Sequence, residues 1–431
     1  MFENMTRALL ISAIPAALCA QSPSPPRTAP LVLTHATVID MVGAQPRPGM
    51  TLLIRDGKIA AIYRDGAQPA PSDATVRDLG GDFLIPGLID AHVHNATDPS
   101  RGDRRSVVEA RLKRALRGGV VAVRDMGGDA RALADLARAA AAGDIESPEI
   151  RYSAIMAGPD FFTDPRVLAS SVGVAPGTAP WARALTDSTD LRQVIAEAKG
   201  SGATAIKMYA ALGGPLAERA AAEAKRQGLG VWAHLATFPA KPSEVVGAGV
   251  QVVSHALFVP FEVQPIPSWK DRLRPDLSIA PDDPKIRQLF ALMKSKGTIF
   301  DVTLFVFRAD SAAPDTSIAK RSERRAIDIV RAAHAAGVVI AAGTDGMLRD
   351  SGAGLPNIHI ELEMLVRAGL SPLEALTAAT RTNAVVLGMS ATHGTIEVGK
   401  AADLLVLAAD PLSDIRNTQR ISLVIRRGKA L

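Results

Sequence analysis

Between residues 83 and 346 one unit recurs eight times, a short apolar run followed by an Ala-rich stretch of helical spacing. The runs are FLIPGLIDAHVH, GVVAVRDMG, EIRYSAIMAG, ATAIKMYA, GVWAHLAT, VQVVSHAL, TIFDVTLFVF and GVVIAAGTDG. Strands this short, alternating with helices, are the pattern of βα units on a parallel sheet. Eight of them predict an α/β fold, a closed (β/α)8 TIM-like barrel. The intervening helices include RSVVEARLKRALRGG, PLAERAAAEAKRQG and RRAIDIVRAAHAAG, each ending at a glycine able to take the left-handed C-terminal position. Ser371-Pro372-Leu373-Glu374 reads as a capping box with proline at the first helical position.

The two flanks of this region have a different texture. LVLTHATVID and TLLIRDGKIAAI, with Asp56-Gly57 as a hairpin signal, and ADLLVLAAD and ISLVIRRGKAL near the other end, read as strands without helices. They predict a small β-sandwich domain built from both chain ends, residues 31–82 plus 394–431, with the barrel over 83–393. Two connections, 158–187 and 258–284, are longer than compact domains usually allow and are expected to cover a site. At the start, ALLISAIPAALCA follows Arg7 and precedes the polar, Pro-rich QSPSPPRTAP. That layout predicts a signal peptide over residues 1–20, a leader over 21–30, and a periplasmic or secreted protein. The run contains Pro15 and is too short to span a bilayer comfortably, so no stable membrane span is expected.

Composition narrows the chemistry by exclusion. The single cysteine, Cys19, lies in the apolar N-terminal run, which leaves neither a disulfide framework nor a thiol catalyst to the folded body. Lys plus Arg number 49 against 44 Asp plus Glu, a thin excess with no basic run, so a nucleic-acid partner is not expected. A G-x-S-x-G serine motif is lacking as well, which points to water as nucleophile.

Against this background, six ionisable residues stand out at or near the carboxyl ends of predicted strands. His92 and His94 share one face of AHVH, Lys207 opposes Ile206 and Met208, and His234 opposes Ala233 and Leu235. His255 opposes Ser254 and Ala256, and Asp345 follows the apolar run VVIAAGT. One buried histidine is more often structural than a ligand, but a set of four with a carboxylate, on the face where barrels place their chemistry, suits zinc and its neighbours. Lys207 is the odd member, because an ammonium beside a metal is repelled. Burial and nearby positive charge should depress its pKa, and a neutral amine can take up carbon dioxide to become a carbamate, in effect a bridging carboxylate. A salt bridge to an acid is the alternative for this lysine.

FLIPGLIDAHVH, VVAVRDMGG, AIKMYA, WAHLAT, VVSHA, GTDG and the tail GTIEVGKAADLLVLAADPLSDIRN together resemble the amidohydrolase superfamily, and within it the imidazolonepropionase-like and Xaa-Pro dipeptidase-like group. The resemblance covers nearly the whole chain after the leader. It implies two divalent transition-metal ions, zinc by preference, with His92, His94 and Asp345 on the more buried ion, His234 and His255 on the second, and carboxylated Lys207 between them. Two departures bear on substrate. Relatives often carry a second histidine soon after the fifth-strand ligand and a Gly-rich run after the lysine, where this chain has HLATFPA and KMYAALGG. Imidazolonepropionase resembles a one-metal site without the bridging lysine, so Lys207 argues against that reaction.

The expected chemistry is hydrolysis of a small-molecule amide or peptide, a dipeptide or N-acyl amino acid. Paired cations acidify a shared water to hydroxide, and Asp345 passes its proton to the leaving amine. The same hydroxide would attack esters, lactones or xenobiotic amides, and a barrel that binds without catalysis is a third alternative. Tyr209, one strand step beyond Lys207, and His359 in NIHIELEML are candidate substrate contacts. Arg166, Lys270, Arg272 and Arg274 lie in the long connections, where a cation could hold a substrate carboxylate, although loop charges are usually just solvated. His35, His334 and His393 look peripheral, and self-association is left open by the sequence.

Overall fold

The computed structural model describes residues 29–95, 104–265, 268–346 and 354–431. The expected signal peptide and leader therefore lie outside the described residues, apart from 29 and 30. A first sheet begins with β1 (Leu31–Val38), β2 (Arg47–Arg55), β3 (Lys58–Arg64), β4 (Thr75–Asp78) and β5 (Phe83–Pro86). The hairpin between β2 and β3 turns at Asp56 and Gly57, both at positive φ (48° and 73°), the geometry that Asp-Gly favours because it matches strand twist. Strand β1 is shared: its first half pairs with β4 and its second half with β5, so the sheet folds there around its own core of Leu33, Leu52, Ile54, Leu84, Val406 and Ile425.

The barrel strands come next as β6 (Leu88–Val93), β7 (Val120–Asp125) and β8 (Glu149–Ala157). A short hairpin, β9 (Thr178–Ala179) and β10 (Ala182–Ala184), adds to the edge of β8. Then come β11 (Ala205–Met208), β12 (Gly230–His234), β13 (Val252–Ser254), β14 (Ile299–Asp301) and β15 (Ile340–Ala341). All adjacent barrel pairs are parallel. The circle is drawn together between β15 and β6 by the amide of Ala91 donating to the carbonyl of Ala342 (3.1 Å) and by a parallel bridge between Val93 and Gly346. The chain ends by returning to the first sheet as β16 (Leu404–Leu407), β17 (Ile421–Arg426) and β18 (Lys429–Ala430). β16 lies antiparallel to β5, which makes the small domain a product of both chain ends, as expected.

Three local expectations change. FLIPGLIDAHVH is two strands rather than one: Phe83–Pro86 pairs with β1 and β16, so the small sheet reaches past residue 82 and the barrel starts at Leu88. Gly87 is the joint, and a Cβ there would lie 2.2 Å from Val121 Cγ1, a clash that only glycine avoids. TIFDVTLFVF leaves the sheet at Asp301, because Thr303 takes a positive φ (50°) and Leu304–Phe307 forms a 3-10 turn. The described residues of the connections at 158–187 and 258–284 include short helices at Pro165–Ala169 and Trp269–Asp271. The helix stops hold: Gly119, Gly228 and Gly337 sit at φ of 88°, 77° and 81°, and the Ser371–Glu374 capping box is formed.

Barrel register decides which side chains meet inside. Parallel pairing sets Lys207 opposite Trp232 and His234 opposite Ser254, which in turn lies opposite Asp301. Side chains two residues apart on a strand share a face, so His234 stands one layer above Trp232 on the inside. Trp232 is buried with Ala122, Ala205, Val252 and Ala341, an apolar floor beneath a layer of ionisable groups. No described helix is long and apolar enough to cross a membrane.

Candidate metal centre

Seven strand ends deliver polar side chains to one side of that floor. β6 supplies His92 and, just past its end, His94; β11 supplies Lys207; β12 ends in His234; His255 follows β13; Asp301 ends β14; and Asp345 follows β15. β7 supplies Arg124. His255 and Asp345 hold positive φ values of 83° and 48°, a strained backbone for residues with side chains, which turns both inward. The amide of Asp345 donates to the carbonyl of His92 (2.8 Å) and that of His255 to the carbonyl of Asp301 (3.0 Å), so the strained turns are locked to neighbouring strands.

Three of the four imidazoles share one logic. His92 Nδ1 lies 2.7 Å from Asp301 Oδ2, His94 Nδ1 3.3 Å from the carbonyl of Gly127, and His255 Nδ1 2.9 Å from Thr303 Oγ1. With Nδ1 spent on an acceptor, Nε2 is left as the lone-pair nitrogen, which is how metal-ligating histidines are oriented. Nε2 of His92 and of His94 sit 3.3 and 3.2 Å from the same oxygen, Asp345 Oδ1. The ligand atoms of His92, His94 and Asp345 all lie within 4.8 Å of one another. His234 and His255 meet edge-on at 4.7 Å between ring centroids, and His255 is 5.1 Å from His92.

Two buried nitrogens, His92 Nε2 and His234 Nδ1, have no hydrogen-bond partner among the described residues. A buried polar atom without a partner costs about 1–3 kcal/mol, so two of them in one cluster call for something that fills the gap. Borderline nitrogen and oxygen donors converging on one point fit a divalent transition metal. His92, His94 and Asp345 make one candidate ligand set, and His234, His255 and Lys207 face it.

Burial controls the charge states. It pushes His92 and His234 below the usual imidazole range and His255 to about 3, so all three are neutral and able to ligate. Burial works upward on Asp345, but His92, His94 and His255 around it hold its carboxylate well below the usual range. Lys207 is fully buried; desolvation and the Arg124 guanidinium bring its amine down to about 7, and its Nζ donates to Ser254 Oγ (3.2 Å).

Sequence reasoning passed over Asp301, the hub beneath the cluster. Its Oδ2 accepts from His92 Nδ1, from Arg124 Nη2 (2.7 Å) and from Ser254 Oγ (2.9 Å), and Arg124 also donates to the carbonyl of Ala91 and lies over the Trp232 ring at 4.7 Å. Asp301 thereby fixes the His92 tautomer. Asp301→Asn is expected to lower metal affinity by about 10–100-fold, as loss of such supporting partners generally does, and chelator competition reads it directly.

Tyr209 stands at the mouth, its ring 4.3 Å from His234 and stacked on Phe161 at 4.9 Å. His359 does not reach the site. Its two ring nitrogens are spent on Thr418 Oγ1 (3.0 Å) and the carbonyl of Gly118 (2.9 Å), because the helix Ile358–Arg367 turns this face toward the small domain's return segment, so the expected substrate contact is not made. Of the loop cations, Lys270 and Arg274 are exposed, whereas Arg166 and Arg272 gather around Asp164.

Known proteins share this architecture. The model of the Amidohydrolase family matches residues 83–431. A Xaa-Pro dipeptidase structure with methionine bound in its active site superposes with a TM-score of 0.74 at 20% identity, covering 94% of this chain and 100% of the other. Ochratoxinase of Aspergillus niger superposes at 0.70 and 22% identity, covering 93% and 95%; in sequence, 138 residues are 32% identical, 30% of this chain and 28% of the fungal one. Allantoinase of Streptomyces avermitilis is 36% identical over 96 residues, 22% of this chain and 20% of its own length. The sequence matches to these curated relatives thus span less than a third of each relative.

Proposed function

This chain belongs to the amidohydrolase family, and from that premise we propose that it is an exported, metal-dependent hydrolase cleaving the amide bond of a dipeptide or N-acyl amino acid with two divalent cations, zinc by donor chemistry. The observation that carries the reading is the shared orientation of His92, His94 and His255, each with Nδ1 anchored and Nε2 left for a ligand. His92, His94 and Asp345 would hold one cation, His234 and His255 the other, with the carbamate of Lys207 between them. Divalent cations bound there supply Lewis acidity, polarising the scissile carbonyl and lowering the pKa of water.

The protein's own groups do the rest. Asp345 stays ionised under its histidine neighbours, so it is ready to accept a proton, and once protonated it is a strong acid that gives the proton to a leaving amine. Tyr209 stays protonated because burial raises its phenol, leaving an O–H donor at the mouth for a reacting carbonyl. The aromatic wall of Phe161, Tyr209 and Phe258 limits water at the site.

A screen of dipeptides and N-acyl amino acids, run on chelated protein with and without added zinc, tests the proposal. Zinc-dependent release of the free amino acid is expected. Metal uptake without hydrolysis of any amide would leave a binding protein, and hydrolysis confined to esters or lactones would move the substrate class. Export rests on residues 1–20 alone. A native mass beginning near Gln21 is expected, and an intact residue 1–20 segment on the mature protein would refute it.

A further inference from the structure

Amide hydrolysis at the metal cluster leaves one charged group at the site mouth unused. Asp164, buried at 7% exposure, caps the helix Pro165–Ala169 and is gripped by the Arg166 side chain through Nε (3.0 Å) and Nη2 (2.8 Å). Arg272, from the other long connection, approaches the same carboxylate only to 3.7 Å, beyond hydrogen-bonding distance. Among the described residues its hydrogen bond is to the carbonyl of Trp269 (3.3 Å). A guanidinium carries five N–H donors, so most of its capacity is unspent although its side chain is only 18% exposed. Lys270 and Arg274 of the same loop are in water, which sets Arg272 apart from an ordinary solvated loop charge.

Its position is tied to the metal cluster by a continuous aromatic path. The Arg272 guanidinium lies over the Trp269 ring (4.9 Å), Trp269 meets Phe161 edge-on (5.3 Å), Phe161 stacks on Tyr209, and Tyr209 meets His234 edge-on. The positive charge of Arg272 is felt at His234 and that of Arg166 at Asp345, which places both within electrostatic reach of the cluster. Two guanidiniums share one carboxylate, so one positive charge remains uncompensated in a partly desolvated, aromatic-lined place. Arginine there suits planar, bidentate recognition of a second carboxylate.

We infer that Arg272, with Arg166 joined to it through Asp164, binds a free carboxylate on the substrate, and that Trp269 and Phe161 form the bed for an apolar side chain next to it. The inference rests on the hydrolase reading and sharpens it, since it selects amides bearing a terminal carboxylate over neutral amides, ureas and esters. Anionic substrates would be drawn to the mouth and held with the scissile amide directed past Tyr209 toward His234.

Calorimetric binding of N-acetyl-L-phenylalanine and of its neutral C-terminal amide to the zinc-loaded protein tests this. The acid is expected to bind about 10–100-fold more tightly, the range for hydrogen bonds to a charged partner. Arg272→Met should abolish most of that preference while leaving the affinity for the amide, and Arg272→Lys, which keeps the charge but not the fork, should retain part of it. Equal affinity for acid and amide, binding of neither, or a preference undiminished in Arg272→Met would each overturn the assignment. A preference for the acid that depends on Arg272, with no turnover of any amide, would sustain the carboxylate site and sink the hydrolase reading instead.

Discussion

Replacing Lys207 with alanine is expected to leave a folded barrel that loses roughly one of two cations per chain and at least about 10-fold in turnover, a floor set by what even indirect metal partners contribute. Lys207 sits in a position where a charged ammonium is poorly tolerated: it is fully buried and shares the layer with Arg124 and three neutral imidazoles. Its amine is brought down to about 7, so the neutral form is substantial near neutrality and grows as pH rises through that value. Only the neutral amine reacts with carbon dioxide. Zinc loading in bicarbonate should therefore increase with pH across this range, and a carbamate carbon signal from labelled bicarbonate should accompany it in the wild type and be lost in Lys207→Ala. Acetate, a short carboxylate that fits the vacated volume, should restore part of the activity. Full metal occupancy and an unchanged rate in the variant would remove the bridging role, leaving Lys207 a buried donor to Ser254.

Much of this was legible because a barrel strand is a demanding context. An ionisable residue amid apolar neighbours is conspicuous: period-two spacing set His92, His94, Lys207, His234 and His255 apart from their apolar neighbours, and Asp345 stood out at the end of the run VVIAAGT, although the inward turn of His255 and Asp345 comes from positive φ just past their strands. Asp301 and Arg124 obey the same rule, yet they sit in TIFDVTLFVF and VVAVRDMG without a partner visible in sequence; the pair forms only when the second and seventh strands are brought across the barrel. The split at Gly87 was illegible for a related reason. It stems from the approach of Val121, a contact with a residue 34 positions away, while the local pattern FLIPGLID is continuous. His359 misled because closeness to Asp345 in sequence says nothing of which way a helix face turns. The aromatic path through Phe161 and Trp269 joins two loops about a hundred residues apart, beyond any periodicity argument.

Asp345→Asn is expected to lower turnover by about 10²–10⁴-fold with little change in KM, when variant and wild type are compared at equal metal content. The carboxylate has two tasks that the substitution separates. As a ligand it contributes an oxygen beside His92 and His94, and an amide oxygen of the same size keeps part of that capacity. As a proton carrier it must take a proton and then give it up, which an amide cannot do. Its environment suits the second task. Burial alone would favour the protonated acid, but the surrounding histidines keep it ionised, and the turn at φ 48° aims it at the cluster centre with its amide locked to the carbonyl of His92. Proton transfer is required only as the tetrahedral species forms and collapses, so its loss appears in kcat rather than in substrate affinity. The weakened ligand would lower metal occupancy too, and for that reason cation content must be measured on the same sample by elemental analysis. Near-normal turnover of an N-acyl amino acid by a fully metal-loaded Asn variant would leave Asp345 as a ligand alone and pass the proton to another group at the mouth, for which Tyr209 is the candidate the geometry offers.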